Sequence, residues 1–196
     1  PGDLSLKQAA AAVGQCELMY TYDKLFSEHN HTVAQILLTA QDINDSERRQ
    51  NFISTMFKLL ELGALPIINE NDTVATSELV IGDNDTLAAI VAQSIDADLL
   101  ILLSDIDGLF TADPHKEQNA TLISRVEKIT PEIEALAGGV GSEVGTGGMV
   151  TKLKAAQISV QNGCDMIIAN GKDPYVLYDI IDGKNVGTRF IGDKSK

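Results

Sequence analysis

The 196-residue sequence has no tryptophan, two cysteines and three histidines, and its 15 Lys and Arg are outnumbered by 28 Asp and Glu. The shortage of positive charge argues against a surface built to hold polyanionic nucleic acid or an anionic membrane. No block of like charges interrupts the chain, so the acidic excess reads as a solubilising surface. Cys16 and Cys164 lie far apart among apolar or small neighbours. That setting predicts two buried free thiols rather than a disulfide or a metal pair, with reducing cytoplasm as the compartment. His29, His31 and His115 fit no zinc-ligand spacing with these cysteines, and the polar stretch around His29 and His31 puts those two at the surface. No apolar run reaches the ~18 residues of a membrane span, and a charged lead followed by an apolar signal core is lacking. Internal repeats at a 20–50 residue period, low-complexity tracts and Pro/Gly/Ser linkers are absent too.

What is present is enough apolar material, 44% of residues, for one core, which predicts a single domain over 1–196. The chain starts at Pro1 without an initiator Met and passes at once into a helical pattern, so a fragment is expected. Segment 4–28 has helix-like apolar spacing (Leu4, Ala11, Leu18, Leu25, Phe26). Thr32 to Leu38 reads as a strand, the polar stretch 41–46 as a connection, and Glu47 to Leu62 as an amphipathic helix closed by Gly63. A buried strand at Leu65 to Ile68 follows. After it come a helix over Asp85–Ala97 and a strand over Asp98–Leu103, whose continuous apolar run Leu99–Leu103 predicts cover on both faces. Thr130-Pro131-Glu132 starts another helix, and Gly147 to Val160 leads through a helix to the strand Asp165 to Ala169. The order is that of an α/β sandwich around a mainly parallel sheet.

Polar clusters fall directly after the expected strands, where open α/β sheets place ligands. Asn69-Glu70-Asn71-Asp72 and Gly82-Asp83-Asn84-Asp85 are two such loops in quick succession. As calcium loops they fail, because counting from Asp83 puts Ala88 and Ser94 where Gly and Glu are required. Turn and N-cap chemistry is one reading of each loop. The other is a site for a small polar substrate, an α-amino group drawn to Asp72 and a carboxylate favoured by the amides that open the second helix. The run Ser104 to Pro114 holds a tight turn at Asp107-Gly108, which leaves Ser104 and Asp105 at the strand end. Gly145-Thr146-Gly147-Gly148-Met149-Val150-Thr151-Lys152 runs into a helix, with free backbone N–H groups and a lysine one turn inside, an arrangement suited to phosphate. It is neither a Walker A loop nor a dinucleotide fingerprint, and a flexible loop before a surface helix is its plain alternative.

Six phrases, in order along nearly the whole chain, carry a resemblance to a known family: Ala9 to Gln15, Pro66 to Asp72, Gly82 to Asp85, Leu103 to Phe110, Asp113-Pro114 and Gly145 to Lys152. The chain resembles the amino-acid kinases and, within them, the glutamate 5-kinases, through the loop pair Asn-Glu-Asn-Asp and Gly-Asp-Asn-Asp. The resemblance implies a three-layer α/β/α sandwich of the carbamate kinase type with N-terminal strands missing. It implies ATP-dependent phosphorylation of the glutamate side-chain carboxylate, the first step of proline synthesis, with Mg²⁺ accompanying the nucleotide and no protein-held metal. Asn69, Asp72 and Asn84 would contact glutamate. Asp85 would organise the active-site lysines, and Ser104, Asp105, Thr146, Gly147, Gly148, Met149, Val150, Thr151 and Lys152 would hold ATP. Lys152 would also stabilise the transferring phosphoryl group, since such transfer is mainly positioning and charge neutralisation. Proline as feedback inhibitor and a homodimer or homotetramer are implied as well.

The family also begins with a strand bearing a Lys-Leu-Gly-type phosphate motif and a Ser-Gly-Ala substrate loop, which this sequence lacks. One of two catalytic lysines is therefore expected to be absent, and the 196-residue chain alone is expected to be inactive and poorly soluble. No C-terminal RNA-modification-like domain, which some members carry, is expected within these 196 residues. Acetylglutamate or uridylate kinase, or an amino-acid sensor that kept the fold without the chemistry, are the competing readings.

Overall fold

Over residues 3–75, 81–114, 116–137 and 147–194, which the computed structural model describes, helices and strands alternate and the chain divides into two units, Pro1–Asn84 and Asp85–Lys196. In the first unit, α1 (Leu4–Ser27) starts at Asp3, whose carboxylate accepts hydrogen bonds from the Ser5 N–H at 3.0 Å and the Ser5 hydroxyl at 2.6 Å. Helix spacing does not give α1 a buried face here. None of its residues is buried, and Leu4, Leu18 and Leu25 stay exposed. Cys16 sits on this helix and is exposed, against the expectation of a buried thiol, whereas Cys164 is buried.

Strands β1 (Thr32–Leu38) and β2 (Ala64–Glu70) pair in parallel, Thr32 opposite Ala64 through Leu38 opposite Glu70. Between them, where a connection is expected, lies a turn of helix, α2 (Ala40–Asn44). A capping box makes it: Asp42 Oδ2 accepts from the Thr39 N–H at 2.8 Å and from the Thr39 hydroxyl at 2.6 Å. Helix α3 (Ser46–Glu61) is capped by Asp45, buries Phe52 and Met56 one turn apart, and ends at Gly63, whose φ of 73° supplies the left-handed residue that stops a helix. Strand β2 runs two residues further than the apolar run, so Asn69 and Glu70 lie in the strand rather than in the loop after it.

The second unit carries α4 (Asn84–Ser94), β3 (Leu99–Ser104), β4 (Arg125–Val126), α5 (Pro131–Ala137), α6 (Gly147–Gln161), β5 (Asp165–Asn170), α7 (Val176–Ile181) and β6 (Thr188–Phe190). Its strands are ordered β3-β5-β6-β4, with β3 parallel to β5, β4 parallel to β6, and β5 antiparallel to β6. The described strands thus form two sheets, and parallel pairing predominates. Strand β5, not β3, is the one covered on both faces. Met166 and Ile168 join Leu102, Leu153, Ala156 and Phe190 on one side, and Ile167 and Ala169 pack with Ile180 on the other. Strand β3 lies at the end of the order with one residue, Leu102, buried, which is why its apolar run overstated its cover.

Ala155, Ala156 and Ser159, all fully buried, let α6 approach the sheet closely. Gly108 does more than turn the chain, because a Cβ there would lie 2.5 Å from Thr188 Oγ1. That hydroxyl accepts from the Leu109 N–H at 2.8 Å and donates to the Ile123 carbonyl at 2.6 Å, tying the loop after β3 to β6. His29 and His31 are exposed, as expected, and His115 lies outside the described residues.

Candidate active site

Parallel pairing brings the carboxyl ends of β3 and β5 side by side, Ser104 opposite Asn170. Just beyond them a cleft of about 500 Å³ is lined by Leu103, Ser104, Asp105, Asn170, Gly171 and Lys172. The Ser104 hydroxyl donates to Asp105 Oδ1 at 3.0 Å. The Asn170 amide donates to Asp107 Oδ1 at 2.8 Å and its oxygen accepts from the Lys172 N–H at 2.9 Å. The Gly171 N–H donates to the Ser104 carbonyl at 2.8 Å, and a Cβ on Gly171 would sit 3.0 Å from Leu103 Cβ, so the two strand ends close up only over a glycine. The floor is therefore rigid, while Asp105 and Lys172 put one charge of each sign at the solvent side.

Helix α6 starts at Gly147, and Gly145 and Thr146 lie outside the described residues. Among the described residues a Cβ at Gly148 would meet nothing within 4 Å, which leaves the backbone of this first turn uncrowded by them. Met149 points into the core at 8% exposure and offers a ligand only its backbone, whereas Val150 is exposed. One turn in, the Lys152 ammonium is buried against Asp85 in the first turn of α4, Nζ to Oδ2 3.0 Å, with 11% and 22% of the two side chains exposed. The same Asp85 oxygen accepts from the Thr151 hydroxyl at 2.7 Å. A buried ammonium is tolerated only when paired, and Asp85 supplies that pairing and orients Lys152 here. The structure thus brings together Asp85, Thr151 and Lys152, which the sequence had placed 66 and 67 residues apart.

The remaining candidates, Asn69, Asp72 and Asn84, lie in the first unit. Asp72 and Asn84 are exposed, and no described residue bonds to the Asp72 carboxylate. Asn69 is already engaged: its Nδ2 donates to Gln15 Oε1 at 3.0 Å and its Oδ1 accepts from the Glu70 N–H at 3.0 Å, while Gln15 donates onward to Gln35 Oε1 at 2.9 Å. Asn71 is bonded by the Thr73 hydroxyl and caps the turn with its carbonyl, which accepts from the Ala75 N–H at 3.0 Å. Among the described residues no group of three His, Cys, Asp or Glu side chains is placed to hold a metal ion.

The model of the amino acid kinase family matches residues 2–170. The chain belongs to this family. The kinase is 48% identical over 200 residues to a glutamate 5-kinase of Clostridium perfringens, covering 100% of this chain and 74% of the relative. It is 51% identical over 190 residues to a glutamate 5-kinase of Clostridium tetani, covering 97% and 71%. Among solved structures its fold is similar to isopentenyl phosphate kinase (TM-score 0.63, 18% identity, 90% of this chain and 66% of that one). It is also similar to carbamate kinase from Giardia lamblia (TM-score 0.62, 18% identity, 97% and 79%).

Four residues of this kinase escaped the sequence reading. Asn170 ends β5 and Lys172 lies just beyond it, as Ser104 ends β3 and Asp105 follows, and the rule that ligands sit at parallel strand ends could have found them. Gln15 lies in a phrase quoted only for likeness, and its partner is 54 residues away. Glu70, expected in a polar loop, ends β2 instead. It is buried at 9% exposure, and its carboxylate accepts from the Ile81 N–H at 2.7 Å and the Gly82 N–H at 3.3 Å. No spacing rule announces a carboxylate whose partners are backbone groups.

Proposed function

We propose that this kinase transfers the γ-phosphoryl group of ATP to the side-chain carboxylate of glutamate, forming L-glutamyl 5-phosphate, the first step of proline biosynthesis. The observation that carries this reading is identity near 50%, along the whole chain, to proteins named glutamate 5-kinase. The residues present fit a nucleotide. The cleft at the ends of β3 and β5 offers Ser104, Asp105 and Lys172, and the first turn of α6 offers backbone N–H groups to phosphate. Mg²⁺, when bound, neutralises phosphate charge, and it would be carried chiefly by the nucleotide's own oxygens. Lys152 holds a positive charge, fixed by Asp85, for the phosphoryl oxygens in transfer, and Thr151 secures Asp85 from the same turn. Asp72 attracts the α-amino group of the acceptor, and the Asn84 amide orients it. Proline as feedback inhibitor, a homodimer or homotetramer, and a cytoplasmic location belong to the same reading. No described helix is long and apolar enough to cross a membrane.

The test is ADP release by the complete gene product with glutamate, N-acetylglutamate, aspartate and UMP compared side by side. Release with glutamate alone, suppressed by proline, is expected. Release only with another acceptor would overturn the substrate assignment, and tight binding without any release would make the protein a sensor.

A further inference from the structure

The two acidic residues of the cluster at the end of β2 part company: Asp72 is exposed, while Glu70 is buried. A carboxylate withdrawn from water is costly unless hydrogen-bonded, and a lysine or arginine is its usual remedy. Among the described residues the partners of Glu70 are instead two consecutive backbone N–H groups, Ile81 and Gly82, 11 and 12 residues further on. Successive N–H groups turned toward one point form a nest for an anion, and Gly82, at a φ of 98°, supplies the backbone conformation that side-chain-bearing residues rarely adopt. Glu70 fills that nest from within the chain. Its own position is fixed by the pairing of β2 with Leu38 and by the Asn71 N–H, which donates to the Leu38 carbonyl at 2.8 Å. Two residues beyond Gly82 comes Asn84, exposed at the start of α4, and two residues beyond Glu70 comes Asp72. One carboxylate therefore fixes where the second polar loop begins relative to the first.

We propose that Glu70 is a positioning residue for the acceptor substrate: by occupying the Ile81–Gly82 nest it holds Asn84 in register with Asp72, without touching the substrate itself. The inference rests on the reading of Asp72 and Asn84 as acceptor-binding groups. It predicts a selective defect, because Glu70 and the nest it fills belong to the first unit and the nucleotide candidates Ser104, Asp105 and Lys152 to the second.

The experiment uses the complete gene product with Glu70→Ala and Glu70→Gln. It measures KM for glutamate, KM for ATP, kcat, and amide hydrogen exchange over residues 81–84. Glu70→Ala is expected to raise KM for glutamate at least tenfold, to leave KM for ATP within twofold, and to speed exchange at Ile81 and Gly82. Glu70→Gln keeps one acceptor oxygen and should fall between the wild type and alanine on both readouts; it carries the test alone if the alanine variant does not fold. Exchange unchanged at Ile81 and Gly82, or equal rises in both KM values, would overturn the proposal. If the wild type turns over a different acceptor, the glutamate assignment falls and Glu70 is judged on KM for that acceptor. A wild type that turns over no acceptor overturns both.

Discussion

Replacing Asp85 by alanine strands the Lys152 ammonium in a site where 11% of its side chain reaches solvent. At 3.0 Å the pair attracts by about 5 kcal/mol at an effective dielectric constant of ~20, most of it offset by the desolvation of both charges. Removing one partner forfeits the attraction and keeps the penalty, which in buried pairs costs ~3–5 kcal/mol. The Asp85 side chain keeps 22% exposure, so the low end, about 3 kcal/mol, is the expected loss. For a chain of this length that lowers Tm by roughly 6–12 °C. Lys152→Met should cost about half as much, because the methionine fills the space and Asp85 retains the Thr151 hydroxyl as donor. The double variant removes both charges together and should be less destabilised than the sum of the singles, with a coupling of at least ~1 kcal/mol. Activity should rank differently: if Lys152 has its proposed role at the transferring phosphoryl, Lys152→Met should lower kcat by ~10²–10³. The assay is a thermal-melt double-mutant cycle beside steady-state kinetics of the complete gene product. Additive effects, or an Asp85→Ala Tm within 2 °C of wild type, would refute a coupled buried pair.

Asp72→Ala should leave Tm unchanged, since the residue is exposed, while raising KM for glutamate by about tenfold or more through loss of one charge-assisted contact; calorimetry and initial rates check the two halves. Asp165 is buried, and although burial pushes its carboxyl pKa up, the Gly192 N–H and the Arg189 guanidinium outweigh that and hold it below its ordinary 3.8. A depressed folded pKa contributes stability above the unfolded value and loses it as pH falls through the folded one. Asp165→Asn should therefore cost about 2 kcal/mol at neutral pH, and the gap from wild type in Tm should narrow below about pH 4. Gly187→Ala puts a Cβ 2.0 Å from the Ile168 carbonyl oxygen at a φ of 63°, so a loss of at least about 2 kcal/mol in denaturant melts is expected.

The long periodic or apolar segments were legible because the signal is repeated many times over: α1, α3 and α6 lie within one or two residues of their expected bounds. Strands β4 and β6, with two and three residues, carry no period to read, and their pairing depends on contacts such as Thr188 with Ile123 from far along the chain. Helix α2 hid in a polar stretch because its stabilising feature is one side chain, Asp42, returning to Thr39. The covered faces were misjudged for β3 because hydrophobicity says that a strand is apolar but not which place it takes in a sheet. In the site, Asp85 and Lys152 were found as separate motifs, each with its own local signal. Their pairing, the lining by Asn170 and Lys172, and the inward turn of Glu70 are consequences of tertiary structure, and a linear pattern holds no trace of them.

Phosphorylation of the glutamate side chain is tested most directly by the identity of the trapped product. The complete gene product is incubated with ATP, Mg²⁺, glutamate and hydroxylamine, and the hydroxamate is isolated and its position assigned by fragmentation in a mass spectrometer. Glutamate γ-hydroxamate, formed only with ATP and reduced at least a hundredfold by Lys152→Met, is the expected result. An α-hydroxamate, or no hydroxamate from glutamate while another acceptor yields a phosphorylated product, would contradict it.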